Sequence, residues 1–471
     1  MKYLKYIGLF GLIFSLNACD DLLELEPQGE IISEQALQTP QDLQELLNSA
    51  YDVLRGEGGD FLGGRSQALS EVMGDNIDGK PSSLNNADFL AFYNKTTSFF
   101  TGYTQAYFTE PYFLIYRANV LLDKVDEVPG VTQEEQERIR GEALFLRALC
   151  YFDLVRLFAQ PYGFTPDNSH LGVALRTEPS SEPVNRATVN EVYTQILEDL
   201  QNAESLLPDE NDIYATNWAA KGLLAKVYFQ INNFQQAYNY ANDVIENGPA
   251  DFNADQEEYF ERFSPGGSSE SIFRIVSTVN DHRGTQFTTH FRYDGPAEPT
   301  LRISRDMYNL AIADQNDIRG QEWYIVDDEG TEEESISITK FDSKDYFDVP
   351  VLHITELKLI RAEAAAELDN RAEALEDLND IRARAGLNAL QLPIEQNTLI
   401  KLIREEKRKE LVAEGVRFHD LRRIGALEGN VTIRGAAWDC PGMAVQFPDI
   451  EIAGAGGSEF FTPNPEGGCT N

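Results

Sequence analysis

Histidine and cysteine are scarce in this chain, at 5 and 4 of 471 residues. The histidines are scattered, and no His-Glu-x-x-His pair occurs, which excludes that zinc-hydrolase arrangement. No Gly-x-Ser-x-Gly elbow is present to hold a nucleophilic serine. Gly74 to Lys80 has the spacing of a phosphate-binding loop. However, Pro81 stands where a magnesium-binding hydroxyl is needed, and Asp75 and Asp78 repel phosphate. No calcium-loop spacing is complete. Asp314, Asp317, Asp327 and Asp328 could hold a calcium ion, but a charged loop is the simpler reading. No cofactor, no metal and no catalytic residue is expected.

Basic residues are also few. Lys and Arg number 39 against 78 Asp and Glu, a formal net charge of −39. Such a field repels phosphate backbones, which excludes nucleic acid as a partner and disfavours a strongly anionic polysaccharide. Long apolar runs are missing too. Ile7 to Leu16 is about half the length a bilayer span needs. It follows Lys2 and Lys5 and leads into Leu16-Asn17-Ala18-Cys19. Residues 1–18 therefore read as a secretory signal, with Cys19 in register for lipidation. Ordinary cleavage beside an incidental cysteine is the alternative. An acyl chain on Cys19 tethers a soluble domain to a membrane without a spanning helix. Of the other cysteines, Cys150 lies in an apolar helical stretch and reads as a buried thiol. Cys440 and Cys469 lie in a Gly/Pro-rich tail and are expected to form a disulfide in an oxidising compartment, two unpaired thiols being the alternative.

What the sequence does have is helical periodicity. Residues 41–54, opened by Thr39-Pro40, place Leu43, Leu46, Leu47, Ala50 and Val53 on one face. Residues 110–127 and 133–160 form a second pair, and Leu144 to Phe158 is apolar almost all round, as in a buried helix. Residues 188–207 are a further helix, ended by Pro208. Two helical hairpins then resemble each other, over 216–247 and 354–385. Asn233 with Gln236, and Asn370 with Glu373, have capping-box spacing. Ala225, Tyr228, Ala237, Ala241 and Val244 recur as Ala362, Ala365, Ala374, Leu378 and Ile381. Small residues at facing positions match the tetratricopeptide pattern. A single domain over 19–471 follows, all-α dominated. Its hairpin scaffold covers about 40–248 and 354–425, with a loop and short-strand insertion at about 249–350 and a loop-rich tail at 429–471.

Several strings are more specific. LELEPQ covers Leu23 to Gln28, soon after the lipidation cysteine and the acidic pair Asp20 and Asp21. RIRGEALFLRALCYFDLVR covers Arg138 to Arg156, followed by FAQPYG at Phe158 to Gly163. DVPVL at Asp348 to Leu352 leads into LIRAEA at Leu359 to Ala364. REEKRKELVAEGVRFHDLRR spans Arg404 to Arg423. In this order, across nearly the whole chain, they resemble the RagB/SusD family of surface nutrient-binding lipoproteins. The resemblance implies four tetratricopeptide-like hairpins, no catalysis, and a seat as a lid on a SusC-type TonB-dependent barrel in the outer membrane. It also implies a ligand site built from the region before the first hairpin plus the insertion. The tail departs from the family's usual ending, with Cys469 in Pro465 to Cys469, although Phe447 to Glu451 fits. The charged Glu405–Arg423 stretch also has a plain physical reading, as partly buried ion pairs between hairpins; Arg417, Asp420 and Arg422 are expected to be scaffold, as is His419.

Sugar rings stack their C–H faces on aromatic rings while polar groups fix their hydroxyls. Eleven of the 28 residues from 89 to 116 are aromatic, against 11% overall. Phe108, Tyr112 and Tyr116 have helical spacing and read as core. Tyr93, Phe99, Phe100 and Tyr103 read as loop. The expected glycan platform is Asp75, Asn76, Tyr93, Phe100, Tyr103, Phe291, Tyr293, Trp323 and Tyr324, and core packing is the competing reading for each ring alone. Peptide capture by the same fold is the second functional reading, and hydrolysis the third.

Overall fold

The computed structural model describes residues 37–56, 60–80, 84, 86–180, 182–256, 261–454, 456–457 and 460–469. The expected signal sequence, residues 1–18, and Cys19 lie outside the described residues. No helix among the described residues is long and apolar enough to cross a membrane.

The chain opens with α1 (Pro40–Val53), and Thr39 and Asp42 form a capping box at its start. Such a cap satisfies otherwise orphaned N–H groups and contributes about 1 kcal/mol. Leu43, Leu47, Ala50 and Val53 are buried, giving the expected face. Two short helices follow, α2 (Arg65–Met73) and α3 (Ala87–Tyr93). The long pair is α4 (Gly102–Lys124) and α5 (Gln133–Phe158). α4 begins eight residues earlier than the sequence suggests, because it runs through Pro111. Pro111 lacks the N–H that would bond the preceding turn, which is why the period alone stopped there. α5 is buried on most sides from Ile139 onward, as its composition requires.

β1 (Leu171–Ala174) pairs with β2 (Arg186–Thr188), and α6 (Val189–Leu206), α7 (Asn217–Gln230) and α8 (Phe234–Asn247) follow. Each helix from α4 to α8 packs on the next. After the insertion come α12 (Ile354–Glu367), α13 (Arg371–Arg384), α14 (Gln396–Glu410) and α15 (Arg417–Glu428). α8 packs directly on α12, so the two interrupted hairpins are neighbours in space. All ten recurring positions of the hairpins are buried, most of them completely. Their small side chains let helix backbones approach closely and make the superhelix continuous across the insertion. The caps are weaker than expected. Asn233 accepts from the Gln236 N–H, but Asn370 makes no side-chain cap bond.

The insertion is closed at its base, where β3 (Ser271–Ile275) pairs antiparallel with β6 (Val349–His353). Between them lie α9 (Thr285–Phe291), α10 (Arg305–Ala311), α11 (Ile318–Glu322) and a hairpin of β4 (Tyr324–Asp327) with β5 (Ser335–Ile338). Its own core is aromatic: Phe263, Phe287, Phe341 and Phe347 pack ring on ring at 4.8–6.2 Å between centroids. The tail adds β7 (Thr432–Ile433), β8 (Ala436–Ala437) and α16 (Asp449–Gly454). A Cys440–Cys469 disulfide clamps it. Asn464 pins it further, donating to the carbonyls of Phe158 and Val445 at 2.7 Å each. Cys150 is buried as a free thiol.

The charged α14 string is structural. Glu410 is fully buried and accepts from Arg262 at 2.8 Å, Arg384 at 2.9 Å and Arg319 at 3.1 Å. Burial alone would raise its pKa, but the three guanidiniums hold the carboxyl far below the ordinary range. Glu363 plays the same part for Arg404, Lys407 and Arg423. Asp420 pairs with Lys407 and Arg423, and Arg422 donates to the carbonyls of Arg156 and Ala159 at the end of α5. Removing one member of such a network leaves a buried charge uncompensated.

Candidate functional site

The region before the first hairpin and the insertion meet along one seam. Ile77 and Ile303 form an antiparallel bridge, the Asp78 N–H donates to the Arg302 carbonyl at 2.8 Å, and the Ser304 N–H donates to the Asn76 carbonyl at 2.7 Å. Lys80 Nζ reaches the Glu334 carbonyl at 2.6 Å. α9 lies against α2, and the His290 ring meets Phe89 of α3 edge-on at 4.9 Å.

Tyr103 stands on this seam in the first turn of α4, half-exposed. The N–H groups of Gly102 and Tyr103 donate to the Asp88 carboxylate at 3.2 and 3.1 Å, as orphan donors of a helix start require. The Tyr103 hydroxyl accepts from Asn86 Nδ2 at 2.9 Å, while Asn86 Oδ1 caps α3. The Arg65 guanidinium lies 3.9 Å from the Tyr103 ring centroid and is tied to Asp60 at 2.7 and 2.6 Å. Phe89 meets the same ring at 5.1 Å. Phe100, in the loop before α4, is 81% exposed. Leaving a phenylalanine in water forgoes about 2–3 kcal/mol, and the open ring lies three residues before Tyr103 in the chain. Tyr293, 37% exposed, leaves α9 with its N–H donating to Asp342 Oδ1 at 2.8 Å. Asp294 beside it accepts from the Ser343 N–H and Arg292 Nε.

His290 is held neutral. Burial pushes its pKa down to about 3, and the Arg65 charge acts the same way. The seam thus combines aromatic rings with fixed donors and acceptors.

Other expected platform residues are buried. Trp323 is 1% exposed, with the Lys340 ammonium 4.6 Å from a ring centroid, and Phe291 is also 1% exposed. Tyr324 packs edge-on against Tyr308 at 5.5 Å. These rings build the insertion's own core, which aromatic enrichment cannot distinguish from a binding surface. Asn76 is buried between Glu71 and Arg408, and Asp75 is engaged by Arg417. Tyr93 is half-buried beneath the Arg434 guanidinium, 3.8 Å from its centroid, and packs so tightly on Gly79 that a Cβ there would lie 2.3 Å from its hydroxyl. In contrast, Tyr116, expected in the core, is 45% exposed. Asp317 is consumed by Arg319 and Lys409, and among the described residues no group of acids, histidines or cysteines is placed to hold a metal ion. Sequence reasoning missed Asn86 and Asp88, for which an asparagine at a helix start was the available signal, and nothing in the sequence pointed to Arg65.

A larger open groove, about 810 Å³, runs along α14 and α15. Its lining is aliphatic and charged without an aromatic ring, and Arg404, Arg408 and Arg417 within it are already paired. It offers a sugar no flat surface.

Residues 21–229 match a family model described as starch-binding, associating with the outer membrane, and residues 270–448 match the SusD family model. The SusD-like protein P38 of Formosa agariphila is 25% identical, over 93% of this chain and 95% of its own length. A crystal structure of a SusD superfamily protein from Bacteroides thetaiotaomicron superposes with a TM-score of 0.78 at 25% identity, covering 91% of this chain and all of its own. A laminarin-binding SusD-like protein superposes with a TM-score of 0.73 at 24% identity, over 91% of this chain and 99% of its own. The chain belongs to the SusD/RagB family of outer-membrane-associated, non-catalytic binding proteins.

Proposed function

We propose that this chain is a cell-surface lipoprotein that captures an oligo- or polysaccharide and delivers it to a SusC-type TonB-dependent transporter. The observation that carries the reading is the Tyr103 cluster. An aromatic ring backed by Arg65 and framed by Asn86 and Asp88 follows, three residues along the chain, the open ring of Phe100. Stacking on such rings with hydrogen bonds to fixed amide and carboxylate groups is how sugars are held. The similarity to a laminarin-binding relative supports the ligand class. The platform consists of Phe100, Tyr103 and Tyr293 with Asn86 and Asp88. In this reading Cys19 carries the acyl anchor that keeps the receptor beside its pore.

Calorimetry of residues 20–471 against neutral and acidic oligosaccharides is expected to give heat with at least one. No heat from the whole panel, with clear binding of peptides, contradicts the reading. Copurification of the acylated protein with a large β-barrel tests the delivery step, and its recovery as a free periplasmic chain contradicts it.

A further inference from the structure

A second concavity, of about 170 Å³, lies between α1, the 211–215 loop and the end of β3. It shares no residue with the Tyr103 seam. Its wall is Tyr51 and Tyr214, with ring centroids 4.9 Å apart and planes tilted by 59°. Both rings are locked: the Tyr51 hydroxyl accepts from the Ala215 N–H at 3.0 Å, and the Tyr214 hydroxyl donates to Asn48 Oδ1 at 3.0 Å. Asn48, Asp52, Arg274 and Arg283 line the rest together with Leu54, Ile275 and Val276. Arg283 pairs with Asp52 and Asp281, and Arg274 donates to Asp348 at 2.8 Å. Two aliphatic side chains, one in the lining and one in the adjoining turn, stand in water. Ile213, in the lining, is 41% exposed, and Val279, in the turn that carries Asp281, is 73% exposed.

We propose that this concavity is a second carbohydrate site, taking one sugar ring of a longer chain. The proposal rests on the glycan-binding reading above. The volume falls short of the ~300 Å³ of a larger ligand pocket, which suits a single ring. Each guanidinium already has a carboxylate, so the rim has no spare charge to select an ion. It presents fixed donors beside fixed acceptors, the pattern a hydroxyl group matches because it both donates and accepts. The tyrosine wall and Ile213 meet the apolar C–H face. A polysaccharide held at two places is retained far longer than by either contact alone.

The test compares the full mature protein with Asn48→Trp, which plugs the mouth from an exposed position on α1, and with Tyr214→Ala. Retardation is measured in native gels containing laminarin, starch or xyloglucan, and trisaccharide affinity by calorimetry. Both variants are expected to lose about three- to tenfold in retardation by whichever polymer retards the wild type, with trisaccharide affinity unchanged. Unchanged retardation, while Phe100→Ala with Tyr103→Ala abolishes it, overturns the second site and leaves the glycan reading standing. A parallel fall in trisaccharide affinity makes the concavity part of one site and overturns the proposal. Unchanged retardation with weakened barrel association reassigns it as a protein contact. No retardation of the wild type by any polymer removes the glycan reading and this inference together.

Discussion

Arg417 donates Nε and Nη2 to the two carboxylate oxygens of Asp75, at 2.7 and 2.9 Å, across 342 residues of sequence. Burial would raise the Asp75 pKa; the hydrogen bonds and charge of Arg417, with Arg408, hold it below its ordinary value. The pair fastens the loop after α2 to the start of α15, so a residue expected on the glycan platform is a structural clamp. Asp75→Ala is expected to cost about 3 kcal/mol of unfolding free energy, since it strands Arg417 without its partner. Glycan affinity per folded molecule stays within about twofold. Urea denaturation and calorimetry on one preparation check both.

Trp323→Ala makes the same distinction inside the insertion. Removing a ring that is 1% exposed is expected to destabilise by about 3–5 kcal/mol. Its signature is a lowered denaturation midpoint with ligand affinity retained in the folded fraction. Lost affinity without lost stability would place Trp323 on the platform instead.

Glu71 gives a pH dependence of definite sign. Its carboxylate is fully buried and accepts from Asn76 Nδ2 at 2.9 Å and the Gly415 N–H at 3.0 Å. Burial pushes its pKa up to about 7, those hydrogen bonds and Lys340 oppose it, and the Asp75 charge adds to it. Between the ordinary value near 4.5 and about 7, the folded chain binds this proton more tightly than the unfolded chain. Its contribution is therefore full below pH 4.5 and is lost as pH rises through 7. Glu71→Gln does not titrate, so its stability relative to wild type is expected to improve by up to about 3 kcal/mol from pH 4.5 to 8. A flat difference across that range, by urea midpoints, contradicts the assignment.

The helical scaffold was legible because its signals are local. The capping threonine at 39 and the 3.6-residue period of α1, α6 and α8 fix helices without reference to partners. The facing alanines of the two hairpins even indicated a shared architecture, although not that α8 would pack on α12 across the insertion. The platform was only partly legible. Phe100, Tyr103 and Tyr293 reach solvent, whereas Phe291, Trp323 and Tyr324 are buried, and composition is identical for the two outcomes. Exposure depends on which elements fold over a ring, and no periodicity exists in an irregular insertion to reveal it. Arg65 stacks on a residue 38 positions away, a contact set by tertiary packing alone.

The central claim is that sugars stack on the rings of Phe100 and Tyr103 at the start of α4. Its most direct measurement is calorimetric titration of the best-binding oligosaccharide into wild type, Phe100→Ala and Tyr103→Ala, with thermal unfolding run in parallel. Each substitution is expected to weaken binding by about 1–3 kcal/mol. Phe100→Ala, at a ring that is 81% exposed, should leave the unfolding temperature unchanged. Undiminished affinity in both variants, with folding intact, would contradict the account.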